Sequence, residues 1–255
     1  MTSGPASAFT ADQYADAYPP GSEHGYWALA RNRIVADALR EARNGGIWDG
    51  TGSILEVGCG PGIVVQGLRD LGFDAWGVEL SRPPVLADAA PYVTLGCDAR
   101  ALNAAFRDKV TAILLLDVIE HVEEPAPFLA ALCGSFPCCK IVLVTVPARA
   151  EVWSNYDVHY GHHRRYDRDM LTRTLTDAGL APQIARYFFR PLYLAALVLA
   201  VTHRRRTVKM RSPRHLGAHR ALAAMLYGME RMLRPVPALP GLSLIAVAVR
   251  SAAPP

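Results

Sequence analysis

The 255-residue sequence has no long apolar run. Its most apolar stretch, PLYLAALVLAV at Pro191–Val201, is about 11 residues, against the roughly 20 that a helix needs to cross a bilayer. A buried or interfacial helix is expected there. The N-terminal segment MTSGPASAFTADQYADAYPPGSEHG has neither a charged n-region nor an apolar core, so no secretory leader is expected. Cysteine is scarce: Cys59, Cys97, Cys133, Cys138 and Cys139 are odd in number and lack paired C-x-x-C spacing. That excludes a disulfide framework and the common zinc patterns; no metal site is expected, and the thiols are expected to be reduced in a cytoplasmic protein. Charge of one sign is also lacking, with 27 Lys and Arg against 23 Asp and Glu. A net charge of +4 is too dilute for a nucleic-acid binder.

What is present is a globular composition, 51% hydrophobic and 20% charged, long enough for one large α/β domain. Helical spacing of Trp27, Leu29, Ile34, Val35, Ala38 and Leu39 predicts a helix over Tyr26–Arg43. Short apolar strands are expected at Ser53–Val57, Ala75–Val78, Tyr92–Leu95, Thr111–Leu116, Lys140–Val146, Ala181–Phe189 and Leu242–Val249. Helices are expected at Ile63–Leu71, Pro83–Ala89, Pro125–Leu132, Asp169–Ala178 and over most of Pro191–Arg234. Strand–helix alternation through about residue 146 reads as a doubly wound parallel sheet. Residues 1–22 read as a flexible lead-in, 23–46 as an N-terminal helix, 50–189 as a cofactor-binding core, 190–240 as a helical cap and 241–250 as the last strand.

The chemistry begins at ILEVGCGPGIVV. Gly58, Gly60 and Gly62 fall where the first strand turns into a helix, a place that lets backbone approach a ligand and offers free N–H groups. Glu79, at the tip of the second strand, is placed to accept from ribose hydroxyls. The nicotinamide fingerprint G-x-G-x-x-G would need a glycine at position 63, where Ile63 stands. Glu56 would repel a pyrophosphate and suits a ligand with an amino group. S-adenosyl-L-methionine, with an adenosine, an ammonium and no phosphate, meets both conditions.

With these residues in order, the sequence resembles class I S-adenosylmethionine-dependent methyltransferases. Glu56–Gly62 matches their E-x-G-x-G-x-G loop, Glu79 and Asp98 their acids after the second and third strands, and DVIEHV at 117–122 their segment after the fourth. The flanking EHGYWALARNRIV and DVHYGHHRRYDRDML resemble a bacterial subgroup related to ubiquinone-biosynthesis O-methyltransferases. The resemblance implies a Rossmann-like sheet of seven strands, the last antiparallel, with helices on both faces. It implies a cofactor site of Glu56, Gly58, Cys59, Gly60, Gly62, Glu79, Leu80, Asp98, Ala99, Asp117, Val118 and His121. S-adenosyl-L-homocysteine would be the product, and the acceptor a small molecule.

Transfer to a hydroxyl needs a proton acceptor, for which a histidine titrates in the right range. His162 is the favoured base, with His159 and His121 as further candidates, and Tyr156, His163, Arg165 and Tyr166 as acceptor contacts. Tyr14 and Tyr18 are expected to close over the cofactor, while Trp153, Tyr156, Phe188, Phe189 and Tyr193 line either the acceptor cavity or the core. N-methylation, or O-methylation of a membrane quinone through a peripheral contact at 187–214, stays open, as does a homodimer. An oxidoreductase and a non-catalytic cofactor-binding protein are the rivals outside this class.

Overall fold

A computed structural model describes residues 9–202, 204–236 and 239–250. Seven strands form one sheet: β1 (Ser53–Val57), β2 (Ala75–Glu79), β3 (Val93–Leu95), β4 (Val110–Leu116), β5 (Ile141–Pro147), β6 (Leu180–Phe188) and β7 (Ser243–Arg250). Their order is β3-β2-β1-β4-β5-β7-β6. The first five run parallel, and β7 lies antiparallel to both β5 and β6. The sheet is the Rossmann-like one that the resemblance implied, with its last strand reversed.

The central strands are apolar without interruption because both faces are covered. Side chains alternate across the pleat. Ile54, Leu114, Leu143 and Val247 pack on one face against α2 (Tyr26–Asn44), α3 (Ile63–Arg69), α8 (Arg190–Val201) and α9 (Leu216–Leu233). Leu55, Ile113, Leu115 and Val144 pack on the other against α5 (Pro125–Gly134) and α7 (Arg168–Asp177). Among the described residues, three short α-helices complete the α-helical set: α1 (Ala11–Ala17), α4 (Ala104–Arg107) and α6 (Asn155–His159).

Two expectations are corrected. Residues 83–89 form no helix. Pro83 and Pro84 lack amide donors, and a proline disfavours the helical conformation of the residue before it. The segment instead folds back under the glycine loop, with Leu86 N–H donating to Pro61 O at 3.0 Å. The lead-in is not wholly irregular either: Thr10 and Gln13 form a capping box that starts α1. Residues 1–8 of that lead-in, and His203 of the basic run, lie outside the described residues. Among the described residues no helix is long and apolar enough to cross a membrane.

Candidate active site

The carboxyl ends of β1, β2, β4 and β5 meet at one edge of the sheet. At the tip of β1 the chain turns through Gly58, Gly60 and Gly62, all with positive φ (76°, 52° and 83°). A Cβ on Gly58 would stand 2.9 Å from Val118 Cγ2, and one on Gly62 2.8 Å from Ala89 Cβ. Glycine is therefore required twice over, for conformation and for space. Gly58 and Cys59 N–H donate to Val78 O, and Gly60 N–H donates to Glu79 Oε2 at 3.1 Å. Ser81 holds the other Glu79 oxygen through its N–H and hydroxyl. Glu79 is thus buried and braces the loop. A carboxylate has about four acceptor positions, so capacity remains for a ligand hydroxyl.

Asp98 is taken up locally: Arg100 donates to it from its N–H, Nε and Nη2. Ala99 is buried beside it and Leu80 is exposed. Asp117 follows β4 in the left-handed region at φ 57°, a conformation that non-glycine residues rarely adopt and that concentrates at functional sites. Its Oδ2 accepts from Arg31 Nη1 at 2.8 Å and its Oδ1 from Thr145 Oγ1 at 3.3 Å.

Arg31 had no role in the sequence reading. It comes from α2, three residues after buried Ala28 and four before buried Val35, so it is the cation on an otherwise apolar face. That misplaced charge was the signal available. Arg31, Asp117, Glu56 and Tyr18 form one electrostatic group. Burial pushes the Glu56 carboxyl up to about 8, against the pull of Arg31. Glu56 Oε2 and Arg31 Nε are buried without a hydrogen-bond partner. Tyr18 lies against Gly60. One acid pair and one cation around unpartnered buried atoms suit the ammonium and carboxylate of an amino acid.

Beyond this group opens a cavity of about 410 Å³. Tyr18, Arg31 and Asp117 line one end, and Glu120, His121, Tyr156, His162, Arg165 and Arg206 line the other. Leu192, Ala195, Ala196 and Leu199 of α8 cover it, and Leu242 and Ser243 reach it from the start of β7. His162 is held by Asp157, whose Oδ1 lies 2.9 Å from His162 Nδ1 and 2.7 Å from Arg165 Nε. Burial alone would raise Asp157, but His162 and Arg165 outweigh it and hold the carboxyl at about 2. The His121 and His162 rings meet edge to face at 4.8 Å. Burial, with His162 beside it, lowers His121 to about 4. Glu120 is fully buried and pushed well above the usual carboxylate range by burial.

Not every expected residue reaches the cavity. Tyr166 is fully buried in the core on the far face of the sheet, its hydroxyl 3.4 Å from Ile119 O. His159 turns outward from α6 toward α1, with Asp16 at 3.5 Å and Gln13 Nε2 donating to its carbonyl. The His163 side chain is exposed, and only its N–H is used, donating to Glu120 O at 2.8 Å. Phe188, Phe189 and Tyr193 belong to the core, and Trp153 is exposed. Tyr156 lines the cavity, with Arg206 over its ring at 4.9 Å. Asp157 and Glu120 were given no individual role by the sequence, and Arg206 was placed only in the stretch 187–214 open to a peripheral membrane contact.

The strand order, the glycine turn and the acids at successive strand ends define a class I S-adenosylmethionine-dependent methyltransferase. Comparison with known proteins agrees: a family model described as a methyltransferase domain matches residues 26–183. The chain belongs to that methyltransferase family. It is 27% identical over 109 residues to the ubiquinone biosynthesis O-methyltransferase of Caulobacter vibrioides, a match covering 40% of this chain and 43% of that one. The match therefore spans less than half the length of that curated relative. Among solved structures, a candidate sarcosine dimethylglycine methyltransferase from Galdieria sulphuraria shares the fold at a TM-score of 0.51 and 14% identity, over 88% of this chain and 86% of that one. Magnesium protoporphyrin IX methyltransferase from Synechocystis, solved with bound S-adenosylhomocysteine, superposes at 0.46 with 15% identity, over 88% of this chain and 84% of that one.

Proposed function

We propose that the protein transfers a methyl group from S-adenosylmethionine to a hydroxyl of a small-molecule acceptor held in the 410 Å³ cavity. The observation that carries this reading is the cavity itself, whose lining includes both the Arg31–Asp117 group and His121 and His162. Glu56 and Asp117 would face the ammonium of the cofactor and Arg31 its carboxylate. The side-chain-free glycines at 58, 60 and 62 would let the cofactor approach the backbone closely, Glu79 would accept from the ribose, and Asp98 would lie by the adenine. When bound, the cofactor supplies a methyl group on a sulfonium, which is already an excellent leaving group. The chain's own task is then to align the acceptor, exclude water and remove a proton.

Asp157 fixes His162 through Nδ1 and leaves the other ring nitrogen for a proton at the acceptor end. Arg165 donates to Asp157 and to Ala148 O, which makes it a positioning residue for His162 rather than an acceptor contact. Arg206 Nη1 is buried without a partner beside Tyr156, and favours an acceptor with strongly accepting oxygen atoms.

Calorimetric titration with S-adenosylhomocysteine, and NADH as the control, tests the cofactor half. Micromolar binding of the first alone is expected, and binding of NADH alone would make the protein an oxidoreductase. A panel of phenols, sugars and amines tests the acceptor half. Methylation of amines only would replace the hydroxyl reading, and binding without any transfer would favour a non-catalytic role. His162→Ala is expected to lower turnover while sparing cofactor affinity.

One observation favours a lipid-like acceptor as a second reading. Leu194, Val198 and Val201 are exposed at helical spacing on α8, and the exposed cations Arg204 and Arg205 follow. Co-sedimentation with anionic vesicles at low salt would support it, and its absence would remove the peripheral contact.

A further inference from the structure

At the acceptor end of the cavity, Glu120, His121 and His162 converge, two of them with buried polar atoms unspent. Glu120 is fully buried, and neither of its oxygens has a hydrogen-bond partner. Nδ1 of His121 is buried and unpartnered as well. His162 completes the group: one ligand-capable atom from each of the three lies within 4.8 Å of the others. Buried carboxylate oxygens are expensive to leave unsatisfied. Arg165, the cation whose charge reaches Glu120, is already committed to Asp157.

We infer that Glu120, His121 and His162 bind one divalent transition-metal ion. Two imidazoles and one carboxylate suit manganese, iron, cobalt or zinc better than calcium, which takes oxygen ligands alone. Two ligands of one such ion, each about 2.1 Å from it, lie at most about 4.2 Å apart. With open positions left on the ion, neighbouring ligands lie about 3–3.5 Å apart, so side-chain rotation must draw the set inward by about 1–2 Å to close the site. The outer support is already built. Asp157 engages His162 Nδ1, which leaves Nε2 as the ligand atom, and Asp157 is itself held by Arg165 and by Ser154 N–H at 2.8 Å. Three protein ligands leave open positions on the ion, and the cavity lies beside them. An acceptor hydroxyl placed there would become more acidic, as metal-bound water does, and its proton would pass to solvent. That role rests on the hydroxyl reading above; binding of the ion does not. It also narrows the part of His162, because a nitrogen that ligates a cation is no longer free to take a proton.

The experiment is a titration of chelator-treated full-length protein with CoCl2, followed by visible absorption, and with MnCl2, followed by electron paramagnetic resonance. Affinity for S-adenosylhomocysteine is measured on the same samples. One equivalent of bound ion is expected, with visible cobalt bands. Glu120→Gln and His162→Gln should each weaken binding at least tenfold, and Asp157→Asn by about 10- to 100-fold. Circular dichroism keeps unfolded variants out of the comparison, and His121→Asn serves if Glu120→Gln does not fold. Absence of saturable one-to-one binding by the wild-type protein would overturn the site. So would folded variants that bind the ion as well as the wild type does. Loss of S-adenosylhomocysteine binding with metal binding intact would instead count against the cofactor reading alone.

Discussion

The loop after β1 and the segment after β5 lie at the same edge of the sheet and are built in opposite ways. The first is made of backbone. Its shape comes from three positive-φ glycines, and its acid, Glu79, is satisfied by N–H groups within a few residues of the sheet tips. The second is made of side chains. Asp157 gathers His162, Arg165 and Ser154, and the neighbouring Glu120 and His121 keep polar atoms open. A backbone-built site is fixed by local conformation, whereas a side-chain-built site depends on which residues the whole fold brings together. The two should therefore fail differently.

The largest effect is expected at Asp157. Asp157→Asn leaves the buried Arg165 guanidinium without its counter-charge, which should cost about 3–5 kcal/mol of stability by urea unfolding. A loss under about 1 kcal/mol would show that the segment after β5 is not held as described. The same residue gives a pH dependence. Its carboxyl is held at about 2 in the folded protein against 3.8 otherwise, so its contribution is complete above pH 4 and is lost as pH falls toward 2. That amounts to about 2 kcal/mol, which Asp157→Asn should abolish.

Next comes Glu79→Ala, which should weaken S-adenosylhomocysteine binding by about 1–3 kcal/mol in calorimetry. Unchanged affinity would show that Glu79 only braces the loop. Glu56 comes third. With its carboxyl raised to about 8, it is protonated in the free protein at neutral pH and must ionise to face an ammonium group. Cofactor affinity should then rise with pH up to about 8, approaching tenfold per unit, with proton release on binding. Glu56→Gln should flatten that profile, and an unaltered slope would remove Glu56 from the amino-acid end. The smallest effect is expected at His163, whose side chain is exposed. His163→Ala should change stability by less than about 0.5 kcal/mol and leave turnover unchanged. A large loss of turnover would return it to the acceptor contacts.

The same contrast explains what could be read from the sequence. The seven strands, α2 and the glycine loop follow from local periodicity and from residues that carry their conformation with them. Pro83–Ala89 did not, because its path is set by a contact with the glycine loop, Leu86 N–H to Pro61 O, that no local pattern announces. At the histidine end the motif DVIEHV was visible, but not that Glu120 would be buried without partners, since that depends on Arg165 being spent on Asp157. His159 and His162 look alike along the chain. Only the turn of α6 sends one toward Asp16 and the other into the cavity. Tyr166 lies one residue from Arg165, yet the backbone directs the two to opposite faces of the sheet. Arg31 was detectable in principle as a charge on an apolar helical face.

The position of β7 bears on how the molecule comes into being. This strand enters the sheet between β5 and β6, and Ala148 N–H, just past β5, donates to Leu242 O just before β7. A chain emerging from the ribosome can assemble β1 to β5 early, with the glycine loop among them. The wall that Leu242 and Ser243 give the cavity is added only when residues 242–250 have been synthesised and have entered the gap. The loop that would grip the cofactor is therefore free to form during translation before the cavity beside it has its full lining.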